Sequence, residues 1–370
     1  MSDHVATDRS TPRFRLAPRL GAFALLVTIA SAGGGCDGDA ADQDPIATFI
    51  AALPDDDTLA LDVPGEDGLA ILGLPLDIIE APLLDKPSEL RVLTGTVRHY
   101  LRKLIANAAD GLDHMTAGRP TLRTADGAVW RVGFPEQDLE RALVMKREDG
   151  HFAFTVWVRA RGRADGPGPW HFLLYGRVTP TGEGDVRGAM WLDLDNDRFP
   201  RSQGKVSVLW SVIGDERAID VTVFDGTPDE GEVGRLTRNY SYRDGPGGGR
   251  IAFDAGEIDV HLAADHPRPE RVRVFTRWNA AHAVRSDYSA TGPEVHGDGY
   301  RVLIGSECWQ LPDALVSYET RIAIPIASQA RVTLFERGDI ATCAFGVEEP
   351  PIVAAPGLAP SEPLRPDELE

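Results

Sequence analysis

The hydrophobic pattern of this chain changes its period near Pro120. Over residues 88–115, apolar side chains recur every three or four positions, which places them on one face of a predicted α-helix. Ser88 is a suitable N-cap for this helix, and Gly118 with Pro120 marks its end. We therefore expect one long N-terminal helix ahead of the remaining elements.

Beyond Pro120 the pattern becomes an alternation of apolar and polar residues. It is clearest in residues 152–158 and recurs in further segments, which are separated by short breaks rich in Gly, Pro and Asp. Parallel strands would need long crossover connections, so this series predicts an antiparallel meander of about nine to twelve strands over residues 120–346. The expected fold class is mainly β (α+β): a large curved antiparallel meander, half-barrel-like, with the helix on one face.

The N-terminus carries the parts of a secretory signal. Four arginines precede an apolar run from Leu20 to Ala30, and small residues then lead into Cys36. The apolar run is shorter than the ~20 residues that a membrane-spanning helix needs. We interpret residues 1–35 as a signal peptide. Cleavage after Ala32, which would leave Cys36 as an ordinary thiol, is the alternative.

A cysteine directly after small residues resembles the lipobox of bacterial lipoproteins, which implies that Cys36 receives lipid. The Glu307-Cys308-Trp309 strand and the late Cys343-Ala-Phe345 extend the likeness. Together with the signal, tether, helix and meander, they resemble uncharacterised envelope lipoproteins of Gram-negative bacteria with large genomes. This resemblance implies a membrane-anchored protein of the cell envelope, on its periplasmic side or surface, and it brings no catalytic residue with it.

Composition divides the chain into four parts. Residues 1–35 are the predicted signal, residues 36–44 an acidic tether, and residues 45–346 a single globular domain. Residues 347–370 repeat Pro and Glu and have few large apolar side chains. Because such a segment cannot bury a core, we expect this tail to be disordered.

The charge of the chain restricts its partners. The chain has 38 Lys and Arg against 57 Asp and Glu, and removal of residues 1–35 leaves 34 against 55, a net charge of −21. This charge excludes nucleic acid as a partner, because phosphate backbones require a cationic surface. We expect the protein to contact the membrane through the lipid on Cys36. A bound lipid or another apolar ligand is a further candidate partner.

Two cysteines remain once Cys36 is assigned to lipid. Cys308 and Cys343 form an even pair outside the cytoplasm, so we predict a disulfide between them. Two buried free thiols are the alternative.

The sequence offers weak candidates for metal binding. Asp193, Asp195 and Asp197 have the spacing of the first ligands of a calcium loop, but Arg198 occupies the position that requires Gly. We interpret the three aspartates as a solvated turn and expect no cofactor.

Catalytic candidates are equally weak. Ser306 lies on a predicted strand beside the predicted disulfide, a poor position for a nucleophile. His151, His171, Asp193 and Ser207 could meet across strands only by coincidence of register.

Aromatic residues on the strands favour a core over a binding surface, although a concave apolar surface for lipid or glycan remains the alternative. They are Trp157, Trp170, Tyr175, Trp191, Trp210 and Trp278. The function we expect is a non-enzymatic binding or structural module. The alternatives are a periplasmic lipid carrier with an apolar cavity, by analogy with the half-barrel carriers of the bacterial envelope, and a secreted hydrolase with a dispersed site.

The first testable prediction concerns the anchor. Cys36→Ala should abolish incorporation of a fatty-acid label and move the protein from the membrane to the soluble fraction, because no other lipid attachment is predicted. Unchanged labelling and membrane partition in this variant would contradict the assignment. Cys308→Ala is the matched control and should keep the label.

Overall fold

The computed structural model describes most of the chain after the tether. The described residues are 44–55, 58–59, 61, 90, 94, 101, 105, 108–162, 167–181, 184–193, 204–226, 236–259, 269–310, 315–353 and 363–366. The chain consists of two compact units, Met1–Ala41 and Asp42–Glu370. Every described residue belongs to the second unit. The predicted signal and Cys36 lie outside the described residues.

Fifteen strands make up most of the described part. They are β1 (Leu122–Arg123), β2 (Gly127–Phe134), β3 (Leu139–Glu148), β4 (His151–Ala160), β5 (His171–Pro180), β6 (Val186–Asp193), β7 (Lys205–Ile213), β8 (Glu216–Gly226), β9 (Leu236–Gly245), β10 (Gly248–Asp259), β11 (Pro269–Asn279), β12 (Ala283–Thr291), β13 (Tyr300–Gln310), β14 (Leu315–Pro325) and β15 (Val332–Gly338). Short 3₁₀ turns occupy Pro135–Gln137 and Ile340–Thr342.

All fifteen strands belong to one open antiparallel sheet. Their order in space is their order in the chain, from β1 to β15. The predicted antiparallel meander is confirmed, but the strand number of about nine to twelve is wrong. Strands such as β12 and β14 were missed because buried polar residues, among them Arg285 and Glu319, interrupt their apolar alternation.

Helices contribute little to the described part. Helix α1 (Pro45–Ala52) begins at Asp44, whose carboxylate accepts a hydrogen bond from the Ile46 N–H at 3.0 Å. Residues 108–116 form α2, and Pro293–Gly297 forms α3. Leu90, Thr94, Leu101 and Ile105 are also helical. Most of the expected helix over residues 88–115 lies outside the described residues, so one continuous long helix is not shown.

The sheet has two chemically different faces. Face A is the side that carries Trp130, Phe154, Trp210, Tyr242 and Trp278. It is apolar across most strands, and its buried side chains join those of α1, Leu101, Ile105 and α2 in a single core. Face B is the opposite side and carries most of the ion pairs of the sheet. The helical residues therefore cover face A.

Aromatic rings on face A lie against glycines of the neighbouring strand. Four register pairs have this form: Phe154 with Gly176, Trp210 with Gly188, Trp278 with Gly249, and Tyr288 with Gly305. A Cβ atom added to any of these glycines would lie 1.9 to 2.3 Å from the partner ring. Glycine at these positions lets a large ring bury itself against the sheet backbone.

The described parts of the C-terminal tail lie against face B. Residues 344–353 and 363–366 both contact face B. Just before the tail, Cys343 is bonded to Cys308 of β13. Val353 of the tail packs on Ala252 and Phe275. Further on, Leu364 contacts Trp157 on β4. The tail thus lies over the face that the helices leave uncovered.

The second testable prediction concerns the rings that pack against glycine. Gly188→Ala should lower the free energy of unfolding by about 1–3 kcal/mol, because its Cβ would meet the Trp210 ring at 1.9 Å. Gly111→Ala is the control: this glycine lies in α2 with no atom within 4 Å of an added Cβ. It should stabilise the protein by about 0.5–1 kcal/mol. Equal effects in urea-induced unfolding would contradict this account.

Candidate functional site

Face A is the first candidate surface, and its centre is apolar. Phe49 of α1 packs on Phe152 and Phe154 with ring centroids 5.7 Å apart, and on Trp130 at 6.1 Å. The Trp130 indole N–H donates to the Gly118 carbonyl at 3.1 Å, just beyond α2. Hydrophobic contact and one hydrogen bond therefore hold the helical cover at the β2–β5 end of the face.

At its other end, face A becomes polar. The hydroxyls of Thr94, Thr276 and Ser286 form a buried chain, with oxygen–oxygen distances of 3.1 and 2.8 Å. Beside them, the Leu90 N–H donates to the Glu307 carboxylate at 3.2 Å. These contacts fix the described helical residues Leu90 and Thr94 over β11–β13.

Glu307 and Glu319 are a pair of buried carboxylates that our sequence reasoning missed. They are register partners on β13 and β14, so both lie on face A. Arg337 and Arg321 approach the Glu319 carboxylate at 3.3 and 3.8 Å. Two carboxylates on one face are the residue types used in acid–base chemistry, but here a backbone N–H and two guanidinium groups contact them. These contacts tie Leu90 to β13 and link β14 to β15 through Glu319 and Arg337.

Trp210 places a polar atom in the apolar part of face A. Its side chain is buried, and its indole N–H has no hydrogen-bond partner in the part of the chain that the structure describes. The ring lies over Gly188 in the apolar part of the face, with Val208 and Ile219 in the same core. An unpaired buried N–H costs about 1–3 kcal/mol relative to a paired one. A ligand that places a hydrogen-bond acceptor at this position would therefore bind more tightly.

Face B carries a buried ionic network beside the disulfide. The Arg285 guanidinium donates to both oxygens of Asp287 at 3.0 and 3.1 Å and to the Ser306 hydroxyl at 3.0 Å. Ser306 in turn donates to Asp287 at 2.5 Å, and Arg277 donates to the same carboxylate at 3.0 Å. The Ser306 hydroxyl therefore links the Arg285 guanidinium and the Asp287 carboxylate within this buried network.

The same network binds the tail. Arg285 donates to the Phe345 carbonyl at 3.0 Å, and Arg277 donates to the Gly346 carbonyl at 2.8 Å. Arg277 also pairs with Glu348 and stacks near the Phe345 ring, with 5.2 Å to the centroid. Two arginines of the sheet thus hold the chain that follows the disulfide.

Other polar groups on face B are paired in the same way. Arg243 forms two hydrogen bonds to Asp220, at 2.9 and 2.8 Å. Hydrogen bonds to Asp254 raise the pKa of the Arg271 guanidinium above its usual value. Burial raises the pKa of the Tyr318 phenol, whose hydroxyl donates to Glu336.

The predicted disulfide is present. The Cys308 and Cys343 sulfur atoms are 2.05 Å apart. The bond joins β13 to the segment after the last 3₁₀ turn, so it fixes the start of the tail on face B.

The structure describes only some of the metal and catalytic candidates. Asp193 ends β6, while Asp195 and Asp197 lie outside the described residues. Within the described ranges, no group of three or more His, Cys, Asp and Glu side chains could hold a metal ion. His151 begins β4, whereas His171 pairs with Val158 near the other end of that strand. The two histidines therefore cannot serve one site.

Comparisons with known proteins gave no match from which a function could be inferred. No protein-family model matches the chain, and no curated protein or solved structure is similar enough to match it. None of the helices described is long and apolar enough to span a membrane.

The third testable prediction concerns the ionic network. Asp287→Asn should destabilise the protein by about 3–5 kcal/mol, because the buried Arg285 and Arg277 would lose their shared counter-ion. Denaturant unfolding with the disulfide intact measures this. Arg123→Ala, which breaks the exposed pair with Asp44, should cost less than about 1 kcal/mol. Similar losses for both variants would contradict the role given to the network.

Proposed function

We propose that the protein is a lipid-anchored, non-enzymatic binding module of the cell envelope, and that face A takes up an apolar ligand with acyl chains. The observation that carries the proposal is the buried, unpartnered indole N–H of Trp210 within an apolar sheet face. A ligand with an ester carbonyl next to a hydrocarbon chain would match both properties of this surface.

The extent of face A supports this choice of ligand. Its buried apolar side chains continue from Trp130 on β2 to Trp309 on β13, with Tyr240 and Phe253 between them. Burial of apolar surface contributes about 25 cal/mol per Å², so such a face favours an acyl chain over a polar substrate. We expect the sheet to curl around this face like a half-barrel, with the long N-terminal helix as its cover.

The helical cover supplies a route for the ligand. Its described polar links to the sheet are the Leu90–Glu307, Thr94–Thr276 and Trp130–Gly118 hydrogen bonds. Separation of the cover from the sheet would break these bonds and expose the apolar centre of face A. We propose that the ligand enters there, between helix and sheet.

The anchor completes the proposal. A lipid on Cys36 and the acidic tether would hold the sheet near a membrane, which is the source of acyl ligands. The net charge of −21 after the predicted cleavage opposes adhesion to anionic head groups, so uptake would depend on the acyl chains.

The fourth testable prediction concerns Trp210. In the full-length Cys36→Ala chain stripped of bound lipid, Trp210→Phe should weaken binding of a fluorescent acyl ester about threefold to tenfold. The reason is the loss of one hydrogen bond worth about 0.5–1.5 kcal/mol. Binding of a hydrocarbon probe that has no acceptor should change little.

Trp170→Phe is the matched control, because Trp170 packs on face B under the Arg159 guanidinium. It should leave the affinity for both probes unchanged. Native mass spectrometry of the purified protein should also show a co-purifying lipid. A wild-type protein that carries no lipid and binds neither probe would overturn the proposed function.

A further inference from the structure

A compact apolar patch interrupts the polar face B. Val129, Ala142, Val144 and Trp157 form a buried cluster on β2, β3 and β4, separate from the core on face A. Trp170 and Phe172 pack at its border, and the Phe172 ring meets Trp157 edge-on with 5.7 Å between centroids. We call this patch, together with Thr155, the Trp157 pocket.

The tail places one residue in this pocket. Leu364 packs on the cluster, and its carbonyl oxygen accepts two hydrogen bonds, from the Trp157 indole N–H at 2.7 Å and from the Thr155 hydroxyl at 2.6 Å. The same indole N–H lies 3.2 Å from the Thr155 oxygen. Both donors belong to buried side chains. The pocket therefore binds a backbone carbonyl through two hydrogen-bond donors, the Trp157 indole and the Thr155 hydroxyl.

The segment around Leu364 has the sequence Pro-Leu-Arg-Pro over residues 363–366. Pro366 is buried, whereas Arg365 is exposed. Proline fixes its own φ angle and favours an extended chain, which lowers the entropy lost on binding. An aromatic groove that binds an extended proline-flanked segment, with side-chain donors on its carbonyls, is a general mode of peptide recognition.

We propose that the Trp157 pocket is a peptide-recognition site for an extended Pro-Leu-x-Pro segment, and that the chain's own residues 363–366 occupy it as an intramolecular ligand. This site lies on face B, and it does not depend on lipid binding at face A. The tail upstream is held by the Cys308–Cys343 disulfide and by Arg277 and Arg285.

Tethering makes the chain's own segment a strong competitor. A segment that belongs to the same chain reaches an effective concentration of about 1 mM, so a peptide with a dissociation constant of about 100 μM would bind the wild-type chain about tenfold more weakly. The pocket becomes available to a peptide in trans only when residues 363–366 leave it.

The experiment uses the full chain and a labelled peptide of residues 361–370. Leu364→Asp in the chain puts a charge against the apolar pocket and should displace the tail. Fluorescence anisotropy should then show saturable binding of the wild-type peptide, at least about tenfold tighter than to the wild-type chain. Leu364→Ala in the chain replaces Leu364→Asp if circular dichroism shows that the latter does not fold.

Two peptide variants test the recognition itself. A peptide with Leu364→Ala should lose most of its binding, whereas one with Arg365→Ala should bind as the wild-type peptide does, because Arg365 is exposed. Trp157→Phe, combined with the displaced tail, removes the indole donor and should weaken binding about threefold to tenfold.

Three results would overturn the proposal. A folded chain with its tail displaced that does not bind the peptide would reduce the tail contact to simple packing. Equal binding to the wild-type and displaced chains would exclude occupation of the pocket by residues 363–366. Equal binding of the two peptide variants would exclude recognition of Leu364.

Discussion

Both faces of a single sheet must be covered by the rest of the same chain, and this requirement organises the molecule. Fifteen strands in chain order form one layer, and the described residues include no second sheet that packs against it. A large apolar side therefore needs helices, and the opposite side needs paired charges or a further segment of chain. The segment before the sheet serves face A, and the segment after it serves face B.

The two faces meet this requirement with different chemistry. Face A uses aromatic rings that lie against the backbone at glycines such as Gly188 and Gly305, which leaves a smooth surface for the helices. Face B uses Arg–Asp pairs, and the most buried of them, Arg285 with Asp287, also binds the tail. The composition of the proline-rich tail does not indicate that it binds the sheet. The arginines of the charged network beneath it nevertheless form hydrogen bonds to the carbonyls of Phe345 and Gly346.

Sequence periodicity predicted the antiparallel sheet because alternation depends on only one strand at a time. It missed β12 and β14, since Arg285, Asp287 and Glu319 are buried and polar at positions where apolar residues are expected. Cysteine parity predicted the disulfide without any knowledge of register. The rings packed against glycine and the pocket around Trp157 depend on contacts between distant residues, such as Thr155 with Leu364, and no local pattern encodes them.

The order of the strands also bears on how the sheet is built. Each strand pairs only with its neighbours in the chain, so each addition closes a short loop and needs no distant partner. Growth can therefore proceed hairpin by hairpin from any nucleus, as local contacts favour rapid folding. The disulfide after β15 and the tail contacts on β4 come from the last part of the chain. Because these contacts need several strands side by side, we expect closure of face B to be a late step in folding.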